Sequence, residues 1–325
     1  MQNNRILVTG GAGYIGSHTC KLLHSHGYVP IVYDNLSSGN SWAVKWGPLV
    51  LGDILDTPSL VNTIREHKPS AVIHFAAKAY VDESFKKTIE YYQTNVGGTI
   101  SLLQACEITG IKNLVFSSSC AVYGTPDSTP ILESDKVNPI SPYGKTKAFA
   151  EEVIQDFAFN RDFNATILRY FNAAGSDPDC EIGECHIPET HLIPNVLRAA
   201  IGREKKVVIN GVNHRTPDGT CIRDYVHVTD LARAHFLAVV QGFSNREIAK
   251  INLGRGTGAS IKEVIDITQH ITGHNVPVIE NDPREGDPPI VFADNTLAKR
   301  YLSWEPQYTL REIIYHAFLW EKKLY

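Results

Sequence analysis

A tyrosine and a lysine four positions apart, Tyr143 and Lys147, follow directly on Ser141-Pro142. Serine suits a helix N-cap and proline the first helical position, so Tyr143 opens a helix. Lys147 then lies one turn on, on the same face. A phenol with an unperturbed pKa of ~10 is a poor base at neutral pH. A neighbouring ammonium favours the phenolate, which could then take a proton from a hydroxyl. Alone the spacing says little, because a surface lysine beside a half-buried tyrosine gives the same pattern.

The pair is not alone. Ser117-Ser118-Ser119-Cys120-Ala121-Val122-Tyr123-Gly124 closes an apolar run, Asn113 to Ser118, that reads as a strand. Side chains at such a strand end project over the C-terminal edge of a sheet, where ligands bind, and a serine there can share a substrate hydroxyl with Tyr143. The bland alternative is a serine cluster that caps backbone. Further upstream, Thr9-Gly10-Gly11-Ala12-Gly13-Tyr14-Ile15-Gly16 sets glycines between a strand and a helix. Glycines at that junction permit a tight turn and let backbone N–H groups approach a pyrophosphate at the helix N-terminus. Asp34 ends the next strand, and no Arg or Lys follows it before Lys45. A carboxylate there can accept both ribose hydroxyls of an adenosine and repels a 2′-phosphate, so NAD is expected rather than NADP. Its positive nicotinamide ring would join Lys147 in stabilising the Tyr143 phenolate. In this order the motifs describe an enzyme.

The elements that must carry these groups alternate. Strands are expected at Arg5 to Thr9, Val29 to Tyr33, Ala71 to Ala76, Asn113 to Ser118 and Ala165 to Arg169. Between them lie helical stripes: Ile15, Thr19, Leu22 and Leu23, closed by Gly27, then Thr99 to Thr109, closed by Gly110, then Ser141 to Asn160. Strand and helix in alternation imply a parallel sheet covered on both faces, a doubly wound (Rossmann) α/β fold. After Asn172 the texture turns to Gly, Pro, Asp and His, as suits a second, smaller α/β unit building a polar pocket. We therefore divide the chain into a cofactor unit, 1–172, and a mainly substrate-binding unit, 173–325. A segment near 226–252 is expected to return to the first.

With 325 residues, 43% hydrophobic and 20% charged, two units sharing a cleft can each bury a core. A net charge of −4 without a basic run argues against nucleic acid. No leader-like or membrane-length apolar stretch is found, so a soluble, cytoplasmic protein is expected. The six cysteines show no CxxC pair. Cys180, Cys185, His186 and His191 lack the paired spacing of a structural zinc site and read as loop residues, so no metal is expected.

The stretches TGGAGYIGSHT, YDNLSSGN, HFAAKAYVDES, SPYGKTK, LRYFNAAGSDP, TPDGTCIRDYVHVTDLA, NLGRGTG and PREGDPP span almost the whole chain. In this order they resemble the nucleotide-sugar 4-epimerases of the extended short-chain dehydrogenase/reductase family, those acting on UDP-glucose and UDP-galactose. The resemblance implies transient hydride transfer from sugar carbon 4 to NAD, with Ser119, Tyr143 and Lys147 catalytic. It implies cofactor contacts from Gly10, Gly13, Tyr14, Ile15, Gly16, Asp34, Asn35, Asp53, Ile54, Phe75, Ala76, Ala77, Lys78, Asn95, Tyr143, Lys147 and Tyr170. Within Gly52-Asp53-Ile54, the bare residues would also suit a simple strand-end turn. The UDP-sugar would meet Ser119, Tyr143, Asn172, His191, Leu192, Arg223, Tyr225, Arg284, Asp287 and Val291. Arginine forks suit phosphate oxygens, which fits Arg223 and Arg284 to the diphosphate.

Two departures stand out: His191 replaces an Asn of the relatives, and Lys78 is shifted by one place from their lysine. A 4,6-dehydratase needs extra acid–base groups where Cys120 and Ala121 stand, which speaks against dehydration. A pentose or uronate 4-epimerase shares the mechanism and stays open, as does a non-catalytic NAD-binding regulator. The resemblance also implies a homodimer joined through helices of the first unit. The stripe Phe149, Val153, Phe157 could serve it or the core.

Overall fold

The computed structural model describes residues 4–159, 161–241, 248–283 and 288–324. Its first half runs β1 (Arg5–Thr9), α1 (Tyr14–Ser25), β2 (Val29–Asp34), β3 (Leu49–Leu51), α2 (Thr57–His67), β4 (Ala71–His74), α3 (Val81–Lys86), α4 (Thr88–Tyr91), α5 (Gly98–Thr109), β5 (Asn113–Ser119), α6 (Pro142–Phe159) and β6 (Asn164–Tyr170). The second adds β7 (Asn172–Ala174), α7 (Leu192–Ala200), β8 (Val207–Asn210), β9 (Ile222–Arg223), β10 (Tyr225–His227), α8 (Val228–Gln241), β11 (Ile248–Leu253), β12 (Ala259–Ser260), α9 (Ile261–Thr272), β13 (Val278–Asn281), β14 (Ile290–Val291), α10 (Thr296–Leu302) and α11 (Leu310–Leu324).

Seven strands form one parallel sheet in the order β11-β6-β5-β4-β1-β2-β3. Alternate residues of β1 serve opposite faces, as a strand requires. Ile6 and Val8 join Leu23, Leu231, Leu253 and Trp304 in one apolar layer. Leu7 joins Ile31, Leu60, Leu102, Ile154 and Ile167 in the other. With both faces covered, the inner strands have no solvated side, and so they read as unbroken apolar runs. The order reverses between β1 and β4, and a ligand crevice opens beyond the strand ends there.

Most expected boundaries fall within a residue or two. Gly110 ends α5 in the left-handed conformation, with φ 78°. The strand expected to reach Ala76 stops at His74, because the N–H groups of Phe75 and Ala76 both turn to Thr9 O, at 2.9 and 3.1 Å. Ahead of α5 the chain forms a π-helical segment, Tyr92–Gly97, which the sequence did not announce. Such segments often mark functional positions. The α6 stripe divides: Val153 and Phe157 pack on the core layer, whereas Phe149 is 53% exposed.

Beyond β6, smaller sheets (β10-β7, β12-β9-β14, β13-β8) pack with α7, α9 and α11 around two separate apolar clusters. Helix α8 lies against α1, and β11 pairs with β6. Among the described residues, no helix is long and apolar enough to cross a membrane.

Candidate active site

Helix α6 starts as its residues dictate. Ser141 Oγ accepts the Gly144 N–H at 3.1 Å, and Pro142 needs no partner for the N–H it lacks. That start brings Tyr143, 5% exposed, beside the end of β5, where Ser119 hydrogen-bonds toward its phenol. Ser119 itself caps the turn Cys120–Val122 by accepting Ala121 N–H at 3.2 Å. One turn along α6, the buried Lys147 donates from Nζ to Ser117 O at 2.7 Å and stands 4.9 Å from the centre of the Phe116 ring. Burial draws this ammonium down to about 8, and the carboxylate of Glu151 opposes that pull.

Burial pushes the Tyr143 pKa well up, Tyr170 adds to the rise, and only Ser119 pulls against it. Lys147 keeps its charge while its Nζ donates to the Ser117 carbonyl. In the protein by itself, burial wins. Tyr170 stands close by, accepting Ser117 Oγ–H at 3.1 Å.

Beneath this group lies a buried polar network that the sequence reading missed. Glu151, 1% exposed, accepts Ser118 Oγ–H at 2.6 Å and three contacts from the Arg169 guanidinium at 2.5–3.2 Å. Arg169 also donates to Tyr123 Oη, which donates on to Asn252. The i, i+4 spacing of Lys147 and Glu151 was the available signal.

The glycine-rich turn is fitted to a dinucleotide. Gly10 has φ 72°, and a Cβ there would stand 2.5 Å from Ala76 N. A Cβ on Gly16 would meet Gly10 O at 2.4 Å. Helix α1 begins at Gly13 with neither a side-chain cap nor an acid in its first turn, which leaves its positive end for an external anion. Asp34 accepts from Ala12 N at 3.0 Å and Leu36 N at 2.8 Å, at the end of β2. Asn35 donates to Asp53 at 2.9 Å, and Asp53 also caps Leu55 N. Ile54, Phe75, Ala76 and Ala77 follow the strand ends along the same edge, and Ile15 packs inward against the core. Buried Asn95, in the π-helical segment, grips the Lys78 backbone through both its amide atoms and donates to Thr146 on α6. These residues fit NAD.

The Lys78 ammonium pairs with Glu90 at 3.1 Å. Tyr14 Oη donates to Gly175 O at 2.5 Å. Tyr225 is packed into the apolar cluster under α7 and α11, 5% exposed. His191 heads α7 just before Leu192, and its Nδ1 lies 2.7 and 2.8 Å from Glu184 and Glu189. Asn172 is exposed at the start of β7, while Arg223 lies on β9 in register with Val291. Arg223 Nη1 donates to Ile222 O at 2.9 Å, and its charge bears on the Cys120 thiol. Arg284 and Asp287 lie outside the described residues.

Sheet order, glycine turn and buried Ser-Tyr-Lys group together define a dinucleotide-dependent protein of the short-chain dehydrogenase type. The chain belongs to the NAD dependent epimerase/dehydratase family, whose profile matches residues 6–254. It is 48% identical over 323 residues to a UDP-glucose 4-epimerase of Rhizobium meliloti, covering 99% of this chain and 98% of that one. A crystal structure of UDP-glucose 4-epimerase from Brucella ovis in complex with NAD superposes with a TM-score of 0.95, at 52% identity and 97% and 98% coverage. The UDP-Glc/GlcNAc 4-epimerase of Campylobacter jejuni is similar at TM-score 0.86 and 36% identity, covering 98% and 99%.

Proposed function

We propose that this protein reversibly epimerises UDP-hexoses at carbon 4, with UDP-glucose and UDP-galactose as the principal pair. The observation that carries the reading is the meeting of Ser119 and Tyr143 at the sheet edge, with Lys147 buried behind them. Bound NAD supplies the acceptor and donor of hydride at carbon 4. Tyr143 takes the 4-hydroxyl proton, Ser119 orients that hydroxyl, and Lys147 supplies fixed positive charge beneath the pair. Once the 4-keto sugar has turned to present its other face, Tyr143 returns the proton to the carbon-4 oxygen. Asn172 and Arg223 serve the diphosphate in this reading, and Arg284 and Asp287 complete the nucleotide contacts.

The division into a cofactor half and a substrate half belongs to the same reading, as does a cytoplasmic homodimer. Support for the dimer comes from Phe85, Ile89 and Phe149, exposed by 60, 70 and 53% on the mutually packed α3, α4 and α6. An apolar patch of that kind favours a partner.

The test needs no added cofactor. Purified protein mixed with UDP-glucose alone should produce UDP-galactose, and denaturation should release NAD rather than NADP. Absolute dependence on added NAD, or release of mainly NADP, would contradict the reading of the cradle and of Asp34.

Val291 sets the expected range of sugars. It is only 8% exposed and lies opposite Arg223 across the β14–β9 pair. If Val291 faces the sugar, as the resemblance implies, its side chain crowds an N-acetyl group less than an aromatic ring would. We expect the N-acetylated UDP-sugar pair to be turned over as well. Val291→Tyr should lower that activity at least about tenfold while the UDP-galactose activity survives. Wild-type indifference to N-acetylated sugars, or a parallel loss of both activities, would sink the gate.

A further inference from the structure

We infer that Glu184, His186, Glu189 and His191 form a site for one divalent transition-metal ion of the zinc class. The four residues fall within an eight-residue loop ahead of α7, and one ligand atom from each lies within 4.8 Å of the other three. His191 Nδ1 stands 2.7 Å from Glu184 Oε1 and 2.8 Å from Glu189 Oε1. His186 Nδ1 stands 3.1 Å from Glu184 Oε1 and 3.8 Å from Glu189 Oε2. Ligands at ~2.0–2.2 Å around a tetrahedral ion stand roughly 3.3–3.6 Å from one another, and the observed separations bracket that range.

Burial supplies the second argument. The Glu184 and Glu189 side chains are only 6% and 1% exposed. Glu189 Oε2 has no hydrogen-bond partner, although it is turned toward His186. An ionised oxygen enclosed without a partner is costly. Two carboxylates facing two imidazoles are balanced either by two protons or by one doubly charged cation, and only the cation also engages the orphan oxygen. Mixed nitrogen and oxygen donors suit zinc and its neighbours in the first transition row.

The location gives the ion its role. The Tyr14 and Tyr80 rings lie 6.2 and 5.7 Å from the His186 ring, and Asn40 donates to Cys185 O at 3.3 Å. Tyr14 opens α1 at the dinucleotide turn, so an ion here would hold closed the loop that packs beside the cofactor cradle, and that is its task. The acids just before it, Asp177, Asp179 and Glu181, already surround Lys21 at 2.7–2.9 Å and call for no ion.

The experiment strips the full-length protein, purified without a histidine tag, with a chelator and then titrates it with Zn²⁺ and Co²⁺. We expect one equivalent bound per chain, a cobalt spectrum of four- or five-coordinate intensity, and a Tm raised by about 3 °C. Glu189→Gln and, separately, His186→Asn should each weaken metal binding at least tenfold, with folding verified by circular dichroism. Sub-stoichiometric zinc, a cobalt spectrum of the hydrated ion only, or variants that bind like wild type would overturn the site and leave a proton-held ion network.

Discussion

Tyr143→Phe should keep the fold and retain NAD, yet lower turnover by at least about 10²–10⁴-fold, the range typical of lost acid–base help. The ring fills a site that is only 5% exposed, so Phe preserves the packing and deletes the hydroxyl alone. Because burial raises this phenol, the reaction relies on bound, oxidised cofactor to bring it toward neutrality. The wild-type rate should accordingly fall as pH drops and the phenol holds its proton, and the Phe variant should lose that limb. Single-turnover and steady-state rates across pH, alongside NAD content, check both parts. Near-normal turnover in the variant would remove Tyr143 from its role.

Glu151→Ala should be the most destabilising single change in the first half, costing about 3–5 kcal/mol. It strands the Arg169 guanidinium, 1% exposed, with no anion in place of the carboxylate it now contacts three times. Ser118 loses its acceptor as well. Replacing both partners at once, Glu151→Leu with Arg169→Met, should recover much of the loss, since the guanidinium is then no longer left buried without its carboxylate. Urea unfolding of single and double variants measures this. A single-variant loss below about 1 kcal/mol would show that water reaches Arg169 and that the network matters little.

Local chemistry was legible in the sequence. The glycines from Gly10 to Gly16, the Ser141-Pro142 helix start and the apolar inner strands each depend on neighbours a few residues away, so spacing betrays them. What depended on the chain folding back was hidden. Arg169 sits in an apolar run, and only the approach of α6 to β6 shows why a charge is tolerated there. The direction of the Lys147 ammonium follows from the Ser117 carbonyl, thirty residues distant, and the spacing to Tyr143 alone cannot show it. In the loop before α7, the spacing of Cys180, Cys185, His186 and His191 carries no paired-ligand signature. The structure instead gathers two carboxylates with the two histidines, because acids and imidazoles in alternation carry no signature until the loop closes on itself.

The place of β11 bears on how the chain is made. Strand β6 has β5 on one side and receives β11 on the other, yet Tyr170 and Ile248 are separated by about half of the second half. At a synthesis rate of about 5–20 residues per second, the free edge of β6 waits roughly 4–16 s for its neighbour. During that interval a bare, apolar strand edge is a template for any other extended chain. Strand β11 also brings Lys250 to within 3.9 Å of Glu151, adding a cation to the buried network. The cofactor-binding sheet is therefore not a module that the ribosome releases complete. Its closure is deferred to a segment that emerges late, and the nascent chain must be kept from its neighbours until then.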